Sequence, residues 1–399
     1  MAKTAMAAQR KGSGKLPQPP EEIVVMLGGG APNFTLMSGA LLELHSYLQR
    51  KRRERKPLYF TLAGAGAVVG LMYLAPKNMD DDPAKAMRNT MNFGISDLIY
   101  EMLPINYKMF GKSGPSAEAF NQIWFNLPEV QAAQNQYGMS DAEALRADSL
   151  LFLGAMMCPT DVNFFSKGFC DHPHLIDSLI DFEALNALDP NQVCIEINAF
   201  CIEKRELIDF TNYETKPDGT PVRIPDTQQG RLVKKNIVPE QLRAALAFPF
   251  IYPPSKFGEY HYYEGAAFQC LNQIASYELD KIECYIVIDP MQAKLIASPR
   301  NLWEAFALSI IMPTSGLAEL GRQLLEMGAS MPAIPRAPSG GNGYRAVEAL
   351  LHLGPRVYYA DFQIDPEDIP DAWGWSRSSL RKLFEIGQTA GRQLLPNLP

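Results

Sequence analysis

The chain has 399 residues, enough for one large domain or two small ones with a sizeable buried core. Hydrophobic residues make up 47% and the formal net charge is -7, which fits a folded, soluble protein and argues against a general nucleic-acid binder. Its six cysteines, Cys158, Cys170, Cys194, Cys201, Cys270 and Cys284, are widely spread with no Cys-x-x-Cys pair, so they read as reduced, mostly buried thiols of a reducing compartment.

Residues 1–21 carry Lys3, Arg10, Lys11 and Lys15 among Ala, Gln, Gly and Pro, without an apolar h-region. They read as a disordered basic tail rather than a secretory signal. Ile23 to Leu27 is a continuous apolar run ended by glycines, as expected of a buried parallel strand. Phe34 to Gln49 has helical spacing, with Leu36, Ala40, Leu44, Tyr47 and Leu48 on one face. A basic stretch, Arg50 to Lys56, leads to a second strand at Leu58 to Leu62, and Ala67 to Leu74 reads as the next helix. Phe60 to Pro76 is the most apolar run, but it is shorter than the roughly 20 residues a bilayer needs. The order of strand, Gly-rich loop, helix, strand, tight turn and helix indicates an α/β fold with a parallel sheet.

Residues 80–190 are rich in Met and Phe and helical in pattern, so they read as a helical insertion or cap. Strands are expected at Val193 to Phe200, Leu207 to Asn212, Tyr260 to Tyr263, Tyr285 to Asp289 and Val357 to Phe362. Val238 to Phe248 reads as a helix, and Leu302 to Met327 as helix interrupted at Pro313 and Gly316. Residues 331–343 form a Pro/Gly-rich stretch read as a loop, and Ser376 to Leu395 reads as an amphipathic terminal helix.

Gly28, Gly29 and Gly30 stand between a strand and a helix, where backbone N–H groups converge on one spot. Phosphate binding, an oxyanion hole and a plain tight turn all fit such a run. A dinucleotide fingerprint fits poorly, because Asn33 stands where the third glycine is required. Leu62 to Ala67 supplies a small-residue strand-to-helix turn of the kind that presents a nucleophile in acyl hydrolases. Its central residue is Gly64, which has no side chain.

These pieces together resemble the patatin-like phospholipase family, which pairs a Gly-rich oxyanion loop with a G-x-S-x-G-A elbow and a later D-G-[GA] motif. Here the loop is Gly28-Gly29-Gly30-Ala31, continuing Pro32-Asn33 where Arg-Gly is usual. The elbow is Leu62 to Ala67, and the acid motif is Tyr263-Glu264-Gly265-Ala266. Arg243 to Pro254 resembles the segment that precedes that motif, and Leu380 to Leu394 the family's last helix. The resemblance spans roughly Glu22 to Leu74 and Val193 to Leu394.

It implies a three-layer α/β/α fold over residues 22–399, with a mainly parallel central sheet. It also implies Gly64 at the nucleophile position and Glu264 at the dyad-acid position. Gly64 cannot form an acyl-enzyme, so the expectation is a lipid- or acyl-ester-associated protein that is a divergent or pseudo-hydrolase. The alternative is an active acyl hydrolase or acyltransferase that uses water or a non-standard nucleophile with Glu264 and the Gly28–Gly30 loop.

Ser38 and Cys270 are weaker nucleophile candidates and read as packing residues. Cys170, His172 and His174 lack an evident fourth ligand, so a polar loop is preferred to a zinc site, and no metal or other cofactor is expected. His45, His261 and His352 are isolated. Arg50, Lys51, Arg52, Arg53, Arg55 and Lys56 offer a peripheral contact with acidic lipid, or simply a solvated helix end. The chain is expected in the cytoplasm or associated with a membrane surface.

Overall fold

A computed structural model describes residues 22–30, 33–134, 136–172, 174–213, 231–234, 236–273, 282–291, 298–299, 302–330, 355–365 and 374–399. The expected tail at residues 1–21, the loop at 331–343 and His352 lie outside them.

The first strand, β1 (Glu22–Leu27), runs into α1 (Phe34–Arg53), β2 (Leu58–Leu62) and α2 (Ala65–Leu74). Helices α3 (Pro83–Asn89) and α4 (Asp97–Met102) follow, then the short strand β3 (Gly111–Lys112) and α5 (Pro115–Trp124). Next come α6 (Pro128–Gln134), α7 (Asp141–Met157), the short strand β4 (Cys170–Asp171), α8 (His174–Asp177) and α9 (Phe182–Asn186). The chain returns to the sheet through β5 (Val193–Cys201), β6 (Glu206–Thr211), β7 (Arg231–Lys234), α10 (Pro239–Leu246), β8 (Ser255–Phe257), β9 (Tyr260–Glu264) and β10 (Ile282–Ile288). It closes with α11 (Leu302–Ser330), β11 (Arg356–Tyr359) and α12 (Arg377–Leu394).

The main sheet has the order β11-β10-β1-β2-β5-β6-β7, with β9 paired to β5 and β8 to β9. From β11 through β5 all pairs are parallel; β6 and β9 run antiparallel to β5. Alternation along β1 sorts its side chains onto two faces. Ile23, Val25 and Leu27 pack with Leu36, Leu41 and Leu383 of α1 and α12, whereas Val24 and Met26 pack with Tyr59, Val287 and Leu325 of α11. The result is the expected α/β/α layering around a mainly parallel sheet.

Three differences from the sequence reading have physical causes. Helix α11 is continuous through Pro313. Ile311, Ala318 and Leu325 recur at heptad spacing and are all buried, so one packed stripe carries the helix past the hydrogen bond that proline removes. The pair β3–β4 and strand β8 are too short for an alternating pattern to register, whereas β9 falls where a strand is expected. Helix α1 continues to Arg53, so four residues of the basic stretch are helical, placed where cations suit the C-terminal dipole.

Helices α1 and α12 cross in backbone contact. A Cβ on Gly387 would collide with the Leu36 carbonyl oxygen, and one on Gly39 with that of Phe384; on Gly391 it would lie 2.8 Å from the Ala40 carbonyl oxygen. The N-terminal end of α12 is also tied to the inserted helices. Arg377 lies 3.5 Å from Asp148 of α7, which binds Lys108 Nζ at 2.7 Å and accepts from the Ser96 amide at 2.8 Å. Breaking one partner of such a buried network leaves an uncompensated charge.

An exposed helical glycine gains about 1 kcal/mol on replacement by alanine. At Gly387 the sign reverses. Gly387→Ala is expected to destabilise by about 1–3 kcal/mol through overpacking, while Gly328→Ala, with open space around it, is neutral or stabilising; denaturant titration of both variants checks the contrast.

Candidate active site

In an open parallel sheet, a crevice forms where successive connections leave one strand in opposite directions. Strand β1 is such a place, because it lies between β2 and β10. The glycine loop Gly28–Gly30 leaves its C-terminal end. The Gly28 N–H donates to the Ile288 carbonyl at 3.1 Å and the Gly29 N–H to the Cys270 carbonyl at 3.2 Å. Two of the three amides expected to converge on an anion are therefore turned into the fold. Gly30, at φ +126°, lies on the wall of the crevice.

Strand β2 ends at the turn Ala63-Gly64, and α2 begins at once. Gly64 has φ 49° and ψ -125°, a conformation that costs an L-residue about 1–3 kcal/mol. The turn is pressed against the end of β1: the Ala63 N–H donates to the Leu27 carbonyl at 3.0 Å, and a Cβ on Gly66 would lie 2.5 Å from that oxygen. Leu62, the departure from a small residue, is matched by Gly70. A Cβ on Gly70 would lie 2.5 Å from Leu62 Cδ2, so the larger side chain fills space that the glycine leaves.

Glu264 ends β9, where it pairs with Ala199 of β5, and its amide donates to the Ala247 carbonyl at 3.0 Å. Its carboxyl lies between the two glycine turns. Oε1 would stand 3.7 Å from a Cβ on Gly29, and it occupies the place where a Cβ on Gly64 would go. The structure therefore brings Gly29, Gly30, Gly64 and Glu264 into one site. It also shows what the motif alone hides: the longer acid fills the volume of the missing side chain.

A cavity of about 1060 Å³ opens over this point, walled largely by apolar side chains that include Phe34, Val68, Phe93, Trp124, Phe248 and Trp375. Its basic groups are engaged elsewhere: Lys108 with Asp148, and Lys112 Nζ with the Cys158 carbonyl at 2.7 Å. Glu264 is 9% exposed, and no hydrogen bond or ion pair from a described residue reaches its carboxyl. Burial pushes that carboxyl up to about 8, so it carries its proton at pH 7.

The other candidates fall away from this chemistry. Ser38 is buried in α1 and donates to its own Phe34 carbonyl at 3.2 Å. Cys270 sits behind the glycine loop, and burial pushes its thiol well above the usual range. Cys170 and His172 lie on the cavity wall, His172 stacked on Tyr252 at 4.6 Å, and burial pushes the Cys170 thiol up to about 11. The His174 side chain lies outside the described residues, among which no His, Cys, Asp or Glu cluster fits a metal. His45 bonds Tyr73 at 3.1 Å and His261 pairs with Glu203 at 2.7 Å.

The basic stretch stands at the far end of the sheet. Helix α1 has 20 residues, about 30 Å of rise away from the glycine loop. Arg50 and Lys51 lie over the Tyr47 ring and beside Glu54, and Lys56 pairs with Glu283 at 2.6 Å.

The loop between α7 and β4 carries a feature that sequence reading missed. Phe164 and Phe165 are 96% and 89% exposed, held edge-to-face in a turn where Asn163 Oδ1 accepts from the Phe165 amide at 2.9 Å. Met156, Phe169 and Phe250, on the cavity wall, are exposed as well, with Phe169 and Phe250 held edge-to-face at 4.6 Å. The available signal was a Phe-Phe pair inside an otherwise polar loop.

Among solved structures the chain is similar to VipD from Legionella pneumophila, 10% identical, with a TM-score of 0.38 over 95% of this chain and 67% of that chain. It is also similar to the ExoU–SpcU complex of the type III secretion system of Pseudomonas aeruginosa, 15% identical, with a TM-score of 0.22 over 78% of this chain and 52% of that chain. No curated protein matches the sequence. The family model for patatin-like phospholipase matches residues 25–272, more than half of the 399 residues. The glycine loop, the elbow and Glu264 all fall inside that match, and the chain belongs to the patatin-like phospholipase family.

Proposed function

We propose that the protein binds acyl-ester lipid in the cavity without serine-dependent hydrolysis. The observation that carries this reading is the pairing of Gly64 with Glu264. Acyl transfer through a covalent intermediate needs an activated nucleophile at the elbow. Here the elbow keeps its strained geometry, its side chain is absent, and the carboxyl of Glu264 fills the vacated volume. The apolar walls and the cavity size suit the tail of a lipid.

Hydrolysis by water, with Glu264 as general base, is the second reading. It is favoured by the acid's place beside Gly29 and Gly64 and on the cavity wall. It is opposed at neutral pH by the proton Glu264 holds, because a base must be ionised to accept one. On this reading, ester turnover appears only as pH rises through about 8 and vanishes in Glu264→Gln.

Membrane contact, on our reading, uses the aromatic loop rather than the basic stretch. Phe164 and Phe165 stand in the loop that leads to Phe169 and Cys170 of the cavity wall, whereas the basic stretch is at the opposite end of the sheet. Two exposed phenylalanines gain about 1.5–3 kcal/mol each on full burial in an apolar phase.

The nucleophile position gives the first test. Gly64→Ser alone is expected to stay silent towards a fluorophosphonate probe and p-nitrophenyl esters, because the new Cβ collides with Glu264. Gly64→Ser/Glu264→Asp, which shortens the acid by one methylene, is expected to label at least tenfold faster. Equal labelling of the two variants removes the steric argument. Turnover by the unmodified protein at pH 7 that is lost in Glu264→Gln removes the non-hydrolytic reading. A second test uses sedimentation with phosphatidylcholine vesicles. Phe164→Ser/Phe165→Ser is expected to weaken vesicle binding by roughly tenfold or more; Arg52→Gln/Arg53→Gln/Arg55→Gln is expected to leave it within about twofold. The reverse order assigns the contact to the basic face.

A further inference from the structure

Glu264 presents a problem of polar satisfaction. A carboxyl that is nine-tenths buried in an apolar cavity, and that no described residue engages, must find a partner or bear the cost of desolvation. Glu264 Oε1 lies against Gly64, in the place that a side chain there would take, and the residue lines the cavity, so the carboxyl is within reach of a ligand held there. In its neutral form a carboxyl is a hydrogen-bond donor, which its ionised form is not.

We propose that Glu264 is a binding residue that donates a hydrogen bond to the carbonyl oxygen of a neutral acyl ester held in the cavity, and that it excludes the free fatty carboxylate. The proposal rests on the acyl-cavity reading above and assigns that cavity its ligand class. A residue that serves the family as the acid partner of a serine thus becomes the polar anchor of the pocket.

The selectivity follows from charge. An ester carbonyl accepts the proton of Glu264 and brings no charge into the cavity. A fatty carboxylate brings a negative charge to a site with no free cation among the described residues: Lys108 is committed to Asp148, and Lys112 is bonded to the Cys158 carbonyl. It either stays ionised beside an acid or takes up a proton from water at neutral pH, and both cost affinity. Of the titratable groups on the wall, His172 is stacked on Tyr252 and already engaged, and the two groups that feel the charge of Glu264 do not alter this balance. Tyr252 and Cys270 are both driven towards their neutral forms, mainly by burial and in part by the charge Glu264 would carry. Asp171, also on the wall, would repel an anion.

The pH dependence has a definite sign. Burial raises Glu264 to about 8, so the donor is present below that pH and lost above it. Ester affinity is therefore high at pH 6.5 and falls by pH 9.5, while laurate is ionised at both values.

The test is displacement of a fluorescent acyl probe by methyl laurate and by laurate at pH 6.5 and 9.5, using the full chain, Glu264→Gln and Glu264→Leu. Thermal unfolding of each variant verifies that it is folded. In the unmodified protein, methyl laurate is expected to bind at least tenfold tighter than laurate at pH 6.5, and at least fivefold weaker at pH 9.5 than at pH 6.5. Glu264→Gln, whose amide donates at every pH, is expected to keep ester binding and lose its pH dependence. Glu264→Leu is expected to bind the ester weakly at both pH values. Laurate binding as tightly as the ester overturns the proposal and leaves the acyl cavity standing, as does ester affinity that is the same at both pH values and in Glu264→Leu. Binding of neither ligand overturns the acyl-cavity reading itself, and the proposal with it.

Discussion

The site depends on one close approach of backbone to backbone. The turn after β2 is pressed against the end of β1, with Gly66 close to the Leu27 carbonyl and the Ala63 amide bonded to it. Only residues without bulk permit that distance, and the distance fixes the direction in which α2 departs. It also sets Gly64 facing the loop at Gly28–Gly30. Everything that gathers above, including Glu264 from the far strand β9, is organised around a turn whose shape persists without the side chain it is built to present.

That persistence separates two properties that usually travel together. The elbow's geometry is maintained by sheet register, by the Leu62–Gly70 match and by the small residues of the turn. Its reactivity would come from a single hydroxyl. On the reading we propose, the neighbouring acid extends into the space left at Gly64, and the cavity holds a proton-bearing group in place of a nucleophile. The departures from the family's pattern are thus physically coupled at Gly64 and Glu264, and again at Leu62 and Gly70.

The parts of this arrangement that depend on local chemistry were legible in the sequence. Apolar runs ended by glycines marked β1 and β2, and the order of Gly28–Gly30, Gly64 and Glu264 marked the site. What depends on distant residues was not. Asp148 and Lys108 lie 40 positions apart, and no spacing rule pairs them; only the packing of α7 against the neighbouring turn does. Pro313 reads locally as a helix break, yet the buried stripe Ile311, Ala318 and Leu325 overrides it. The direction of the Gly28 and Gly29 amides, and the volume taken by the longer acid, are properties of three-dimensional contact that a motif cannot carry. Phe164 and Phe165 were visible as letters, but their exposure is set by how the loop between α7 and β4 folds.

The crossing of α1 and α12 has a consequence for how the chain reaches this state. Helix α1 is built from residues near the start of the fold, and the helix that packs backbone-to-backbone against it ends at Leu394. β1 likewise pairs with β10, about 260 positions later. Loop closure on that scale must precede the contacts that reward it, so contact order is high and folding is correspondingly slow. During synthesis the face of α1 that packs on α12 stays uncovered until α12 has emerged, and β1 waits for β10 to cover one edge. The pocket, whose wall includes Trp375 just before α12, is incomplete until then, and the growing chain exposes apolar surface in the meantime.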